Sequence, residues 1–120
     1  MAEIFDLANG AGLKVAGMGT VDPGAQLVAS GMIEPREIAE IRAGGGVGEM
    51  MGHFFDADGR VLHTTLSART LAAALDEPGA SRTVVIAGGP DKVQAIRAAL
   101  NSRRLRGLIT DEATAEALAR

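Results

Sequence analysis

Residues 84 to 100, VVIAGGPDKVQAIRAAL, change character three times within one short stretch. Val84, Val85 and Ile86 are β-branched and apolar, as a buried strand requires. Gly88 and Gly89 end that run, and Pro90 has the fixed φ that suits the first turn of a helix. Val93, Ile96 and Leu100 then recur at helical spacing. A strand without polar alternation that leads at once into a helix is the building unit of a parallel sheet. With Gly89 as N-cap and Pro90 in the first position, Lys92 falls in the third. A cation there opposes the helix dipole by about 0.3–1 kcal/mol, and Asp91 offsets part of that. The N–H groups of such a turn, with an ammonium beside them, form a site for an anion such as phosphate. The alternative is a solvated lysine next to an ordinary turn.

The same alternation extends in both directions. Residues 4 to 8 read as the end of a short helix closed by Asn9-Gly10, and residues 13 to 16 as a strand running into Gly17-Met18-Gly19. Asp22-Pro23-Gly24 is a turn. Pro35 starts a helix with Ile38 and Ile41 on its inner face, stopped by Gly44-Gly45-Gly46. Residues 47 to 55 read as one strand, and residues 56 to 59 (DADG) as a turn from which residues 60 to 63 pair back as a hairpin. Residues 66 to 75 read as a helix. Leu108-Ile109 is a short strand, and Thr110 caps a last helix opened by Asp111 and Glu112. The fold expected is α/β, a parallel Rossmann-like sheet with helices on both faces.

Bulk composition narrows the functions. The chain has 120 residues, 47% apolar and 22% charged, enough for a core and a hydrated surface. It contains no Cys, so neither a disulfide framework nor thiol chemistry is open to it. No apolar run approaches the roughly 20 residues of a membrane span, and no signal peptide pattern opens the chain. A cytoplasmic protein is the expectation. A net charge of −3 with no Tyr or Trp argues against nucleic-acid binding by these residues. The one basic cluster, residues 102 to 107 (SRRLRG), reads as a helix C-terminus.

Ligands of parallel sheets bind at the carboxyl ends of strands. Three glycine-bearing strand ends compete for that role: Gly17 to Gly19, Gly46 to Gly48, and Gly88-Gly89. None is a dinucleotide fingerprint, since Asp22 and Met51 stand where the third glycine would be, and no phosphate-binding P-loop exists. Glu49 is a carboxylate in an otherwise apolar, Gly-rich strand. Burying it unpaired is expensive, so it lies at an edge, is paired, or faces a polar cavity; a sugar hydroxyl is one natural partner. His53 and His63 lack a third ligand at metal spacing, and the DADG turn lacks the downstream glutamate of a calcium loop. No metal and no cofactor is expected.

The order of the motifs resembles a known family. Residues 14–33 (KVAGMGTVDPGAQLVASGMI), 38–62 (IAEIRAGGGVGEMMGHFFDADGRVL), 84–100 and 107–118 (GLITDEATAEAL) are similar to the C-terminal part of the sugar-sensing domain of SorC/DeoR-type transcriptional regulators. The most specific pieces are GEMMGHFFDADG, AGGPDK and LITDEAT in that order. The resemblance implies a fold like that of the glucosamine-phosphate deaminase, ribose-phosphate isomerase and CoA transferase group, of which this chain is a part. It implies an effector domain that binds a sugar, in phosphorylated form, and thereby alters oligomerisation and DNA affinity. It places Lys92 and Glu49 on the sugar, with Gly17, Gly19, Gly88 and Gly89 bordering the pocket. It further implies a homo-oligomer, with a dimer the simplest form, and DNA contact only through a helix-turn-helix module that these residues do not contain. By the same resemblance, the chain begins where the second half of the effector domain begins, without the Gly/Thr-rich phosphate loop of the first half. A sugar-phosphate isomerase or deaminase of the same fold is the competing reading, and an interaction domain without ligand is a third. No histidine motif or paired carboxylate stands beside Glu49 to serve as a tuned acid or base.

Overall fold

A computed structural model describes residues 2–22, 24, 29–69, 72 and 74–120. Its centre is a parallel sheet of three strands in the order β1 (Lys14–Ala16), β4 (Thr83–Ile86), β5 (Gly107–Ile109). Val15 pairs with Val84 and Val84 with Gly107, while Ile86 pairs with Ile109. The absence of polar alternation in β4 and β5 therefore marked parallel pairing, as expected. Between β4 and β5 the chain makes the turn Pro90–Lys92 and then helix α4 (Val93–Asn101). The other helices whose bounds fall among the described residues are α1 (Ala2–Asn9), α2 (Pro35–Ala43), α3 (Thr65–Arg69) and α5 (Glu112–Ala119).

Residues 47 to 55 are not one strand. They fold back on themselves as an antiparallel hairpin, β2 (Gly46–Met50) and β3 (His53–Asp56), separate from the parallel sheet. The two loop residues have positive φ, 52° at Met51 and 84° at Gly52, the geometry that matches the twist of a two-residue hairpin. No Asn-Gly or Asp-Gly announces this turn, which is why sequence reasoning passed over it. Residues 60 to 63 do turn back, though only as a single bridge between Phe55 and Val61. The helix expected over residues 66 to 75 is short, Thr65–Arg69, and residues 72 and 74 to 75 are not helical. Residues 70, 71 and 73 lie outside the described residues, as does Pro23 of the turn expected at residues 22 to 24.

The hairpin sits between two apolar clusters. Met50 and Phe55 face α4, in a core with Val85, Ile96 and Ala99. Phe54 faces the other way, towards Ile38 and Ile41 of α2. Helix α4 approaches β2 closely because a Cβ on Gly48 would stand 2.6 Å from that of Ala95. The inner face of α4 is consequently made of small residues, Ala95, Ala98 and Ala99 around Ile96, and Leu100 points outward, 40% exposed. Helical spacing alone had put Leu100 inside; the glycine contact turns the helix.

Helix cover of the parallel sheet is uneven. Ala16, Val85 and Leu108 belong to the core beneath α4. On the opposite face Val15, Ile86 and Ile109 are 61%, 52% and 58% exposed, so no described helix buries them. The SRRLRG cluster lies just beyond the end of α4 rather than in its last turn, with Arg103 in the left-handed region at φ 61°.

Candidate functional site

The carboxyl ends of β1, β4 and β5 lie side by side, so the loops that follow them form one edge. After β1 the chain reaches Gly19, which exchanges two backbone hydrogen bonds with Glu49 of the hairpin, at 2.9 and 3.0 Å. This pairing ties β2 to the parallel sheet and brings Glu49 to its carboxyl edge. A Cβ on Gly19 would lie 2.6 Å from Glu49 Oε2, so the carboxylate occupies the space that a side chain there would need. Glu49 is half-buried and locally paired: its Oε1 accepts the Gly52 N–H at 2.8 Å. Its Oε2 accepts no hydrogen bond among the described residues. The sequence alternatives of strand edge, pairing and polar cavity thus resolve into pairing across the hairpin turn.

After β4 the chain passes Gly88 and Gly89 into the Pro90–Lys92 turn. Gly89 is the N-cap and Pro90 the first residue, as read from sequence, but the turn is a tight 3₁₀ turn and α4 proper begins at Val93. Lys92 is half-buried, and among the described residues its ammonium forms no hydrogen bond or ion pair. A first helical turn offers N–H groups without intrahelical partners, so Lys92 stands where an anion is favoured.

After β5 the cap is one residue later than the sequence suggests. Asp111, not Thr110, caps α5: its Oδ1 accepts the Thr114 N–H at 2.8 Å and its Oδ2 the Thr114 hydroxyl at 2.9 Å. Both residue types are good caps, and the one that falls on the extended residue before the first helical turn takes the role. The Thr114 N–H and hydroxyl bonds hold the Asp111 carboxyl below its ordinary pKa. Thr110 Oγ1 is buried without a hydrogen-bond partner among the described residues. A Cβ on Gly88 would collide with Asp111 Oδ2, so glycine at 88 is what lets the α5 cap sit against the end of β4.

A cleft of about 280 Å³ is lined by residues in or just after the three glycine stretches that compete in the sequence. Thr20 and Asp22 follow the first, Gly46 and Val47 belong to the second with Gly45 just before it, and Asp91 and Gln94 follow the third. Arg42 closes it, 3.7 Å from Asp22. Sequence reasoning had not singled out Asp22, Arg42 or Gln94, which become neighbours only through folding. Glu49 and Lys92 are not among the walls of this cleft. Glu49 leaves the hairpin on the face of Phe54, its cross-strand partner, whereas α4 packs on the other face. Among the described residues no hydrogen bond or ion pair joins Glu49 to Lys92. His53 and His63 take part in no group of three metal-ligating side chains among the described residues, and no helix there is long and apolar enough to cross a membrane.

The whole chain, residues 1–120, matches the family model of a sugar-binding domain. It is 58% identical over 115 residues to the erythritol catabolism regulatory protein EryD of Brucella abortus, covering 96% of this chain and 36% of the relative. It is 38% identical to the transcriptional regulator LsrR of Klebsiella pneumoniae, over 97% of this chain and 37% of that protein. The chain therefore spans little more than a third of the length of these curated relatives. Among solved structures, a DeoR family transcriptional regulator from Listeria monocytogenes superposes with a TM-score of 0.89 at 23% identity, over 98% of this chain and 48% of that one. That likeness establishes the fold.

Proposed function

Since the chain belongs to the sugar-binding-domain family, we propose that it is the effector-sensing part of a bacterial transcriptional regulator and that it senses a small polyol or sugar in phosphorylated form. The observation that carries this reading is the full-length family match together with 58% identity to a regulator of erythritol catabolism. That relative, a regulator of erythritol catabolism, supports a short polyol such as erythritol, or its phosphate ester, as the ligand class. Lys92, without a hydrogen bond or ion pair among the described residues, is assigned to the phosphate. Glu49, whose Oε2 accepts no hydrogen bond among the described residues, is assigned to a ligand hydroxyl, and Gly17, Gly19, Gly88 and Gly89 are assigned to the border of the site along the carboxyl edge. The domain binds without turnover, in the cytoplasm. It is part of a larger effector domain, and a helix-turn-helix module outside these 120 residues makes the DNA contact. Binding changes the oligomeric state and DNA affinity of the whole regulator.

Titration calorimetry with erythritol and with a phosphate ester of erythritol tests the assignment. Lys92→Ala should weaken the ester about ten- to a hundredfold, the ~1.5–3 kcal/mol of a charge-assisted contact, and leave erythritol unchanged. Equal losses for the two ligands would remove Lys92 from the phosphate role. Turnover of an aldose phosphate or an amino-sugar phosphate would instead favour an isomerase or deaminase of the same fold. Homo-oligomerisation is supported by the exposed face of Val15, Ile86 and Ile109, since a contiguous apolar patch marks an interface. Sedimentation at tens of micromolar should show a dimer, and a monomer would contradict it.

A further inference from the structure

We infer that Thr114 is a positioning residue for the Lys92 turn, acting through the hydroxyl that joins Gly89 to Asp111. The inference rests on the reading of Lys92 as an anion ligand. Gly89 has φ 113° and ψ 150°, a backbone region that side-chain-bearing residues scarcely enter. Such a conformation persists only where its surroundings fix it, and here both polar groups of Gly89 are held. Its N–H donates to Thr114 Oγ1 at 2.9 Å, and its carbonyl accepts the Lys92 N–H at 3.1 Å.

Thr114 spends its hydroxyl in both directions. The oxygen accepts from Gly89 while its proton goes to Asp111 Oδ2 at 2.9 Å. Asp111 Oδ1 meanwhile accepts the Thr114 backbone N–H. The side chain is buried, 3% exposed, so water does not replace these partners. One hydroxyl thus connects the first turn of α5 to the residue two before Asp91 and three before Lys92. A second tie, from Arg97 Nη2 to the Ala117 carbonyl at 2.9 Å, holds α5 alongside α4. The direction of the Lys92 backbone is set from α5 rather than by the turn's own sequence. An isosteric valine removes both bonds at Thr114, whereas serine keeps them.

The test uses the 120-residue chain with inorganic phosphate as probe, followed by NMR at Gly89 and Lys92. In Thr114→Val the Gly89 amide should exchange at least tenfold faster, while amides of Val85 and Ile96 in the core keep their rates. Phosphate should bind about five- to tenfold more weakly, and Thr114→Ser should restore both. Unchanged Gly89 exchange in Thr114→Val would overturn the relay. Faster exchange with unchanged phosphate affinity, where Lys92→Ala does lower it, would overturn the positioning role alone. Lys92→Ala without effect on phosphate would overturn the anion reading itself, and the role of Thr114 with it.

Discussion

At the amino ends of β1 and β4, Lys14 donates to Asp76 at 3.0 Å, with the two side chains only 8% and 7% exposed. Asp76 also accepts the Arg82 N–H at 2.7 Å and the Thr83 hydroxyl at 3.0 Å, and Arg104 donates to its carbonyl. At the carboxyl ends of the same strands the chain runs out in glycines, and there Lys92 and Glu49 Oε2 keep bonding capacity unspent among the described residues. The amino end buries charge and satisfies all of it around one carboxylate. The carboxyl end ties down its backbone at Gly19 and Gly89 but keeps charge available. Stability and recognition are thus placed at opposite ends of one small sheet, so damage to each should have a different signature.

The largest effect is expected from Asp76→Ala, which leaves Lys14 buried without its counter-ion. Removing one partner of a buried pair typically costs about 3–5 kcal/mol. Denaturant unfolding should show a loss of that size, and a loss under about 1 kcal/mol would mean that this end does not hold the sheet. Acid tests the same contact. Burial raises the Asp76 pKa, but the Arg82 N–H, the Lys14 ammonium and the Thr83 hydroxyl outweigh it and bring the carboxyl from 3.8 to about 2. The unfolded chain therefore takes up the proton first. The contribution is complete above roughly pH 4 and drains away as pH falls through about 2. Thermal unfolding of the native chain should follow that window, and Asp76→Asn should flatten it.

A smaller effect separates two glycines of the carboxyl end. Gly88→Ala drives a methyl into Asp111 Oδ2, whose displacement would break both bonds to Thr114. Overpacking of this kind costs about 1–3 kcal/mol. A Cβ on Gly17 meets nothing within 4 Å, so Gly17→Ala should change stability by no more than about 0.5 kcal/mol. Equal costs at the two positions, measured by denaturant midpoints, would show that the α5 cap is not what demands glycine at 88.

Sequence reasoning recovered what local chemistry dictates. The β-branched run at Val84, the Pro90 start and the Gly44 stop all act within a few residues; the strand and the helix stop appeared where their signals stood, and Pro90 opened the turn that leads into α4 at Val93. It failed where a distant contact decides. Met51 takes a left-handed conformation with no turn signal of its own, beside a Gly52 held by Glu49. Leu100 turns outward because Gly48, far away in sequence, admits Ala95. Lys14 and Asp76 lie 62 residues apart, and nothing in either neighbourhood announces a buried pair. At the site, Glu49 and Lys92 were visible as charges out of place among apolar or dipole-opposed surroundings. Thr114 and Gln94 were not, because they look like ordinary helix residues until the edge is assembled.

The smallest expected effect has the sharpest sign. Thr110 stands before Asp111 at the end of β5, and from sequence it reads as the cap of α5. A capping threonine replaced by a residue without a hydroxyl costs about 0.5–2 kcal/mol. In the structure that role belongs to Asp111, and Thr110 Oγ1 is buried with no partner among the described residues. An unsatisfied buried hydroxyl is itself a cost of about 1–3 kcal/mol, which an apolar group of the same shape does not incur. Valine matches threonine in shape and favours a strand end as strongly. Thr110→Val should therefore raise stability, by about 1 kcal/mol at most once imperfect packing of the new methyl is set against the gain. The measurement is the denaturant midpoint at constant m-value. A midpoint shifted downward would return the cap to Thr110, and with it the sequence-based boundary of α5.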